Sequence, residues 1–241
     1  MSRPRPSDVG RVLVPLVVLL LSGCARQPEI SSLALRIAPL AGPIQVDGRL
    51  EERCYERPAS VTEFKVASRP DAQAPPTRTW LQWDQRGLWF AFAAQDFTLV
   101  ADPPTRDEHA VDVQDRVELF LWSEHSRQYF CLEIAPDGAV HDYAARIYRR
   151  FDDLWSPAGA RFAARRTVNG YAVEGFVPLA ALHGMGVRSW RAGTRFRLGL
   201  YRADFRSEAP DDPQWLTWID PNLPEPDFHT RATFGLVELA P

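Results

Sequence analysis

Along most of the chain apolar and polar residues alternate with a period of two, in short runs broken by turn residues, a pattern that predicts strands rather than helices. Residues 79–83 and 88–92 flank the polar turn Asp84-Gln85-Arg86-Gly87 and read as a β-hairpin. In its second arm Leu88, Phe90 and Phe92 share one face, while Trp89, Ala91 and Ala93 share the other. A third strand spans Arg116–Trp122, with Val117, Leu119 and Leu121 on one side and Glu118, Phe120 and Trp122 opposite. A fourth covers 129–135, ended by Pro136-Asp137-Gly138. Residues 162–168 and 171–177 flank Asn169-Gly170, a strong hairpin signal because both turn positions tolerate positive φ. Pro178-Leu179-Ala180-Ala181-Leu182 then predicts one short helix, stopped by Gly184 and Gly186. Arg195–Asp204 and Gly235–Leu239 complete roughly eight to ten strands, and so many short antiparallel strands with almost no helix predict an all-β sandwich or barrel.

The first residues follow another rule. Arg3, Arg5 and Arg11 precede an apolar run from Val12 to Leu21, the layout of an export signal. That run is shorter than the ~20 apolar residues needed to cross a bilayer. Leu21-Ser22-Gly23-Cys24 resembles the bacterial lipobox, which implies cleavage before Cys24 and lipidation of that cysteine. Acyl chains contribute about 0.8 kcal/mol per buried methylene, so several of them hold a domain durably on a membrane. The expected organisation is a signal peptide over 1–23, a lipid-anchored tether over 24–43 and one domain over 44–241. The expected location is the cell envelope, periplasmic or outer-membrane; Ala25 after the cysteine is compatible with outer-membrane sorting by resemblance to other lipoproteins.

Residues 1–23 carry three Arg and one Asp, so their removal takes the formal charge from −3 to −5. That balance argues against nucleic acid as a partner. Cys54 and Cys131 remain as either a disulfide or two buried thiols, since spacing alone does not give their distance.

Read in order, several segments resemble the family 9 carbohydrate-binding modules and related DOMON-like sandwiches. They are Ile44-Gln45-Val46-Asp47-Gly48 with the acidic residues that follow, which looks like the family's opening strand and turn; Leu81-Gln82-Trp83-Asp84; Asp115-Arg116-Val117-Glu118; Gly170-Tyr171-Ala172-Val173-Glu174; Tyr201-Arg202-Ala203-Asp204; Leu216-Thr217-Trp218; and Phe228-His229 ahead of Phe234-Gly235. The resemblance implies a non-catalytic domain that holds polysaccharide or oligosaccharide near a partner enzyme or transporter. A sugar ring offers an apolar C–H face to an aromatic ring and its hydroxyls to charged groups in the ring plane. The eight tryptophans, all beyond residue 23, supply aromatic surface in quantity.

Candidate ligand contacts follow, each with a structural alternative. Glu118, among aromatics on its strand face, either accepts hydroxyl hydrogen bonds, as the resemblance implies, or pairs with Arg116 or Arg202. Arg202 and Asp204 share a strand face and are either ligands or a solvated charge pair. Phe228 stands where relatives carry one of two stacking tryptophans, and is otherwise core. The other stacking position is Asp112, a departure for which Trp80, Trp122 or Trp218 could substitute from another strand. His229 could bond a hydroxyl, and Trp83 and Trp89 belong to the core. No cofactor is required; the resemblance implies structural calcium, for which the loop residues His109, Asp112 and Asp115 offer Asp112 and Asp115 as ligands, the alternative being a solvated acidic loop.

Three competing functions are open. Hydrolysis is disfavoured, because Asp115 and Glu118 have opposite strand parity and no other motif supports it. Haem b binding, as in some DOMON-like domains, would draw on His183 and Met185 with a further ligand from His109 or His229. A scaffold lipoprotein would use the same aromatic surface for a protein partner.

Overall fold

The computed structural model describes residues 34–102, 108–206 and 212–241. Among them are thirteen strands: β1 (Ala34–Pro39), β2 (Lys65–Val66), β3 (Thr77–Asp84), β4 (Gly87–Gln95), β5 (Arg116–Trp122), β6 (Gln128–Ile134), β7 (Val140–Arg146), β8 (Arg150–Asp152), β9 (Arg161–Thr167), β10 (Gly170–Pro178), β11 (Arg195–Asp204), β12 (Gln214–Thr217) and β13 (Gly235–Leu239). One short helix, α1 (Leu179–Gly184), follows β10 as expected.

The strands run in the order β8-β7-β6-β5-β11-β13-β1-β3-β4-β10-β9, with β12 beside β11 and β2 beside β12. The sheet curls into a sandwich because β1 belongs to both layers. Its first four residues pair with β13 and its last two pair with β3, in parallel both times. The other ladders are antiparallel, as the turn signals predict.

The membership of β1 corrects the tether. Residues 34–39, expected in the flexible leash, are instead a strand that buries Ile37 completely and receives the Ala240 N–H on its Ile37 carbonyl. Residues 44–46, expected as the opening strand, have no ladder. What they lead into is a pinned turn: the Glu174 carboxylate of β10 accepts the N–H groups of Asp47 at 2.9 Å and Gly48 at 2.7 Å, and the Tyr55 hydroxyl at 2.7 Å. Gly48 has φ +79°, and a Cβ there would meet the Ala164 backbone at 2.9 Å. The expected signal peptide and Cys24 lie outside the described residues.

Strand parity sorts the core. Val117, Leu119 and Leu121 join Leu81, Phe90, Phe92, Leu198 and Leu200 in the layer between the sheets. The opposite face of β5 is buried too. Phe120 and Trp122 pack with Tyr129, Tyr143, Tyr201, Phe228 and Phe234 under the chain that follows β12. The β9–β10 hairpin forms as expected, but its two-residue turn is Val168-Asn169, one residue earlier than expected, and Gly170 already pairs with Thr167; a Cβ at Gly170, φ +145°, would strike the Ala94 carbonyl oxygen at 2.0 Å.

Met185 lies in the core between the sheets, and the His183 ring bonds the Val187 carbonyl at 2.7 Å. The pair expected for haem ligation is thus committed to packing and to the end of α1. Cys54 and Cys131 are both buried and unpaired.

Candidate functional site

The second face of β5, β6 and β7 is only partly covered, and what remains open is a cavity of about 370 Å³. Alternation places its floor. Glu118 of β5 stands opposite Glu133 of β6, which stands opposite His141 of β7, so three side chains of one parity line up across three strands. Tyr143 lies two residues along β7 on the same side. The walls are His109 and Asp112 from the 3-10 turn Glu108–Val113, Arg149 and Phe151 from the β7–β8 hairpin, Trp215 of β12, and the Pro226–His229 loop. Phe151 leaves 47% of its surface exposed, whereas Phe228 leaves 6%.

The floor is a charge cluster that is not closed. Arg116 places Nε 2.9 Å from Glu118 Oε1 and 2.7 Å from Glu133 Oε2. One N–H cannot point at both. These three atoms are at ion-pair distance yet lack a directed hydrogen-bond partner among the described residues. The remaining contacts hold the group still: Arg116 Nη1 donates to the carbonyls of Val111, Asp112 and Gln114 at 3.3, 3.0 and 3.3 Å, and the Tyr143 hydroxyl donates to Glu133 Oε1 at 2.7 Å. The Arg116 guanidinium also lies over Trp215, 5.4 Å from the ring centroid.

A single guanidinium faces two buried carboxylates. Burial first, then repulsion from Glu133, outweigh Arg116 and push the Glu118 pKa up to about 8. Glu118 thus keeps its proton to higher pH than an ordinary carboxyl, and in that form it can donate as well as accept. At the mouth, His229 shares a 2.8 Å hydrogen bond with the Tyr129 hydroxyl, and burial together with the nearby Arg149 holds its pKa down to about 4. Its imidazole is neutral. Arg149 in turn donates to Asp227 at 2.9 Å.

Of the residues expected to contact sugar, Glu118, Phe228 and His229 line this cavity; Trp122, Arg202, Asp204 and Trp218 do not. Trp122 packs edge-on against Phe234, covered by Arg231 and Arg197. Trp218 packs against the core between the sheets, and its ring abuts Gly235. Arg202 stands one residue beyond Tyr201, the partner of Glu118, so the pleat turns it to the other face. There it is fully buried, pairing with Asp96 at 3.0 Å and with Asp204, and donating to the Gln95 carbonyl at 2.9 Å. Arg202 and Asp204 do share a face, but it is the one that locks the two sheets together. Phe228, expected to stack on sugar, is mostly turned inward, and the exposed phenylalanine of the cavity is Phe151.

The expected calcium ligands also part. Asp112 points its carboxylate at two imidazoles, His141 Nδ1 at 2.8 Å and His109 Nδ1 at 3.2 Å. Asp115 spends both oxygens on the backbone N–H groups of Val100 and Phe205, each at 2.6 Å, within a buried group that includes Asp96 and Asp204. Arg202 supplies the positive charge of that group. The two aspartates therefore do not share one site: Asp112 stands with His109 and His141, and Asp115 with the carboxylates of Asp96 and Asp204.

Arg116, Glu133, His141, Tyr143, Arg149, Phe151 and Trp215 were not among the expected ligand contacts. Parity along β6 and β7 groups Glu133 with Tyr129 and Cys131, and His141 with Tyr143, but only the ladder register aligns both groups with Glu118.

With this geometry in view, solved structures show the same fold. A candidate carbohydrate-binding protein from Bacteroides uniformis superposes with a TM-score of 0.64 at 16% identity, covering 87% of this chain and 100% of that one. A family 9 carbohydrate-binding module from Caldicellulosiruptor kristjanssonii in complex with cellotriose gives 0.59 at 16% identity, covering 86% and 93%. The same organism's family 9 module in complex with glucose gives 0.56 at 17% identity, covering 85% and 95%. No curated protein matches significantly. The model of the carbohydrate family 9 binding domain-like family matches residues 46–241, and the chain belongs to that family.

Proposed function

We propose that the protein is a non-catalytic carbohydrate-binding lipoprotein that holds the end of an oligosaccharide or polysaccharide in the cavity above Glu118. The observation that carries this reading is the charged floor: Arg116, Glu118 and Glu133 line the cavity, and just beneath its surface Arg116 Nε holds Glu118 Oε1 and Glu133 Oε2 at ion-pair distance with no directed hydrogen bond among the described residues. Buried polar atoms of this kind are costly unless something bonds them, and sugar hydroxyls donate and accept within one ring plane. The exposed face of Phe151 supplies the apolar partner for C–H bonds. At about 370 Å³ the cavity is near the lower end of small-molecule sites, commonly about 300–1,000 Å³, which suits a chain end rather than a long segment. Family membership and the glucose and cellotriose complexes of structural neighbours support the same class of ligand. The two carboxylates lie side by side on one guanidinium instead of facing each other across a gap, which supports binding over hydrolysis.

Export and lipidation at Cys24 would present this cavity outside the cytosol, next to an enzyme or transporter acting on the same glycan. Calorimetric titration of the purified protein with glucose, cello-oligosaccharides and other plant and bacterial oligosaccharides tests the binding. Saturable binding weakened about tenfold by Phe151→Ala is expected. No binding across the panel, or binding indifferent to Phe151→Ala, rejects the site. Palmitate labelling that survives Cys24→Ser rejects the anchor.

A further inference from the structure

We propose that His109, Asp112 and His141 form a binding site for a divalent transition-metal ion, zinc by preference, at the wall of the cavity. Their nitrogen and carboxylate ligand atoms all lie within 4.8 Å of one another. Asp112 already bonds both rings, 2.8 Å to His141 Nδ1 and 3.2 Å to His109 Nδ1, and the ring centroids are 4.6 Å apart. His141 anchors the site within the fold: its side chain is only 6% exposed, while His109 and Asp112 are exposed at the cavity wall.

The donor set decides the metal. Two imidazoles with one carboxylate suit zinc and its neighbours in the first transition row, whereas calcium and magnesium ask for oxygen cages. Asp112 completes the ligand set, its two oxygens already meeting the Nδ1 atoms of both rings. Three protein ligands leave one position of a tetrahedral ion open, and all three residues line the cavity. Asp153, 3.9 Å from His109 Nε2, lies within reach of the same ion. The site joins the 3-10 turn to β7, the strand second from the sheet edge, so sequence spacing alone conceals it.

The test uses the full chain without a histidine tag, stripped of metal and titrated with Zn2+ alone, then with Co2+ as a spectroscopic probe. One Zn2+ per chain, a raised melting temperature and visible d–d absorption from Co2+ are expected, with equimolar Ca2+ failing to compete. His109→Ala, at an exposed position that leaves the fold intact, should weaken Zn2+ at least tenfold, and Asp112→Asn should do the same. Absence of Zn2+ binding in the wild type, or equal binding by His109→Ala, overturns the proposal. No sugar enters the experiment, so its failure and that of the carbohydrate reading are separately visible.

Discussion

Phe228 lies flat on Tyr201, with ring centroids 4.1 Å apart and planes inclined by 10°. The Tyr201 hydroxyl donates to Thr233 Oγ1 at 2.8 Å, which in turn donates to the Phe228 carbonyl at 3.0 Å. The loop that roofs the cavity is thus fastened by ring stacking and a hydrogen-bond relay. Phe228 shapes the site from behind.

The two cavity phenylalanines should therefore behave differently. Phe228→Ala removes a buried ring and is expected to cost about 3–5 kcal/mol in urea denaturation, with sugar affinity falling as the roof loosens. Phe151→Ala, on an exposed hairpin, should leave the denaturation midpoint within about 0.5 kcal/mol of wild type while weakening sugar. Equal destabilisation by both would show that Phe151 is packing rather than contact.

Stability should decline between pH 6.5 and 8. Glu118 holds its proton up to about 8 and Asp115, for which burial and then Asp96 oppose ionisation, up to about 7. Where the native state binds protons that the unfolded chain has lost, stability falls as pH rises: from 4.5 to 8 for Glu118 and from 3.8 to 7 for Asp115. Asp204, raised to about 6 by burial against the pull of Arg202, acts likewise at lower pH. His141 adds the same sign near neutrality: burial opposes its charge, but its bond to Asp112 prevails and raises its pKa. His229 has the reverse sign, gaining stability from pH 4 to 6.5, and is spent above that range. Melting temperature followed against pH should show a slope above pH 6.5 that is shallower in Glu118→Gln. Parallel curves would mean that Glu118 is ionised in the fold.

Arg202 is expected to be among the least replaceable residues. It ties Asp204 of its own strand to Asp96 at the end of β4, across the two sheets, and has no exposed surface. Arg202→Met would leave those carboxylates without their cation, at a cost of about 3–5 kcal/mol. Sugar titration of any folded Arg202→Met protein should match wild type, since the residue is on the far side of its sheet from the cavity.

Reductant should not shift the melting temperature. Cys54 and Cys131 are buried thiols, and burial pushes the Cys131 pKa well above its ordinary value, so the thiolate that reacts is scarce. A thiol reagent should label both only after denaturant is added. Rapid labelling of the native protein, or a reducible crosslink between the two, would contradict the structure.

Much of this architecture is legible in the residues themselves. The period-two alternation, the Asn169-Gly170 signal and the Pro178 start of α1 place the strands from β3 to β6 and from β9 to β11, because pleat and turn chemistry are local. The face of Glu118 was equally readable, since parity along β5 puts it with Phe120 and Trp122. What local pattern does not carry is register between strands distant in sequence, and therefore which faces meet. Only pairing of β5 with both β6 and β11 shows that Glu133 and Tyr201 flank Glu118 while Arg202 points away. Sequence determined that aromatics and charges alternate on half-buried strands; the folded sheet decided which became cavity, which became the lock between layers and which became core, because burial depends on what packs against a face and not on the face alone.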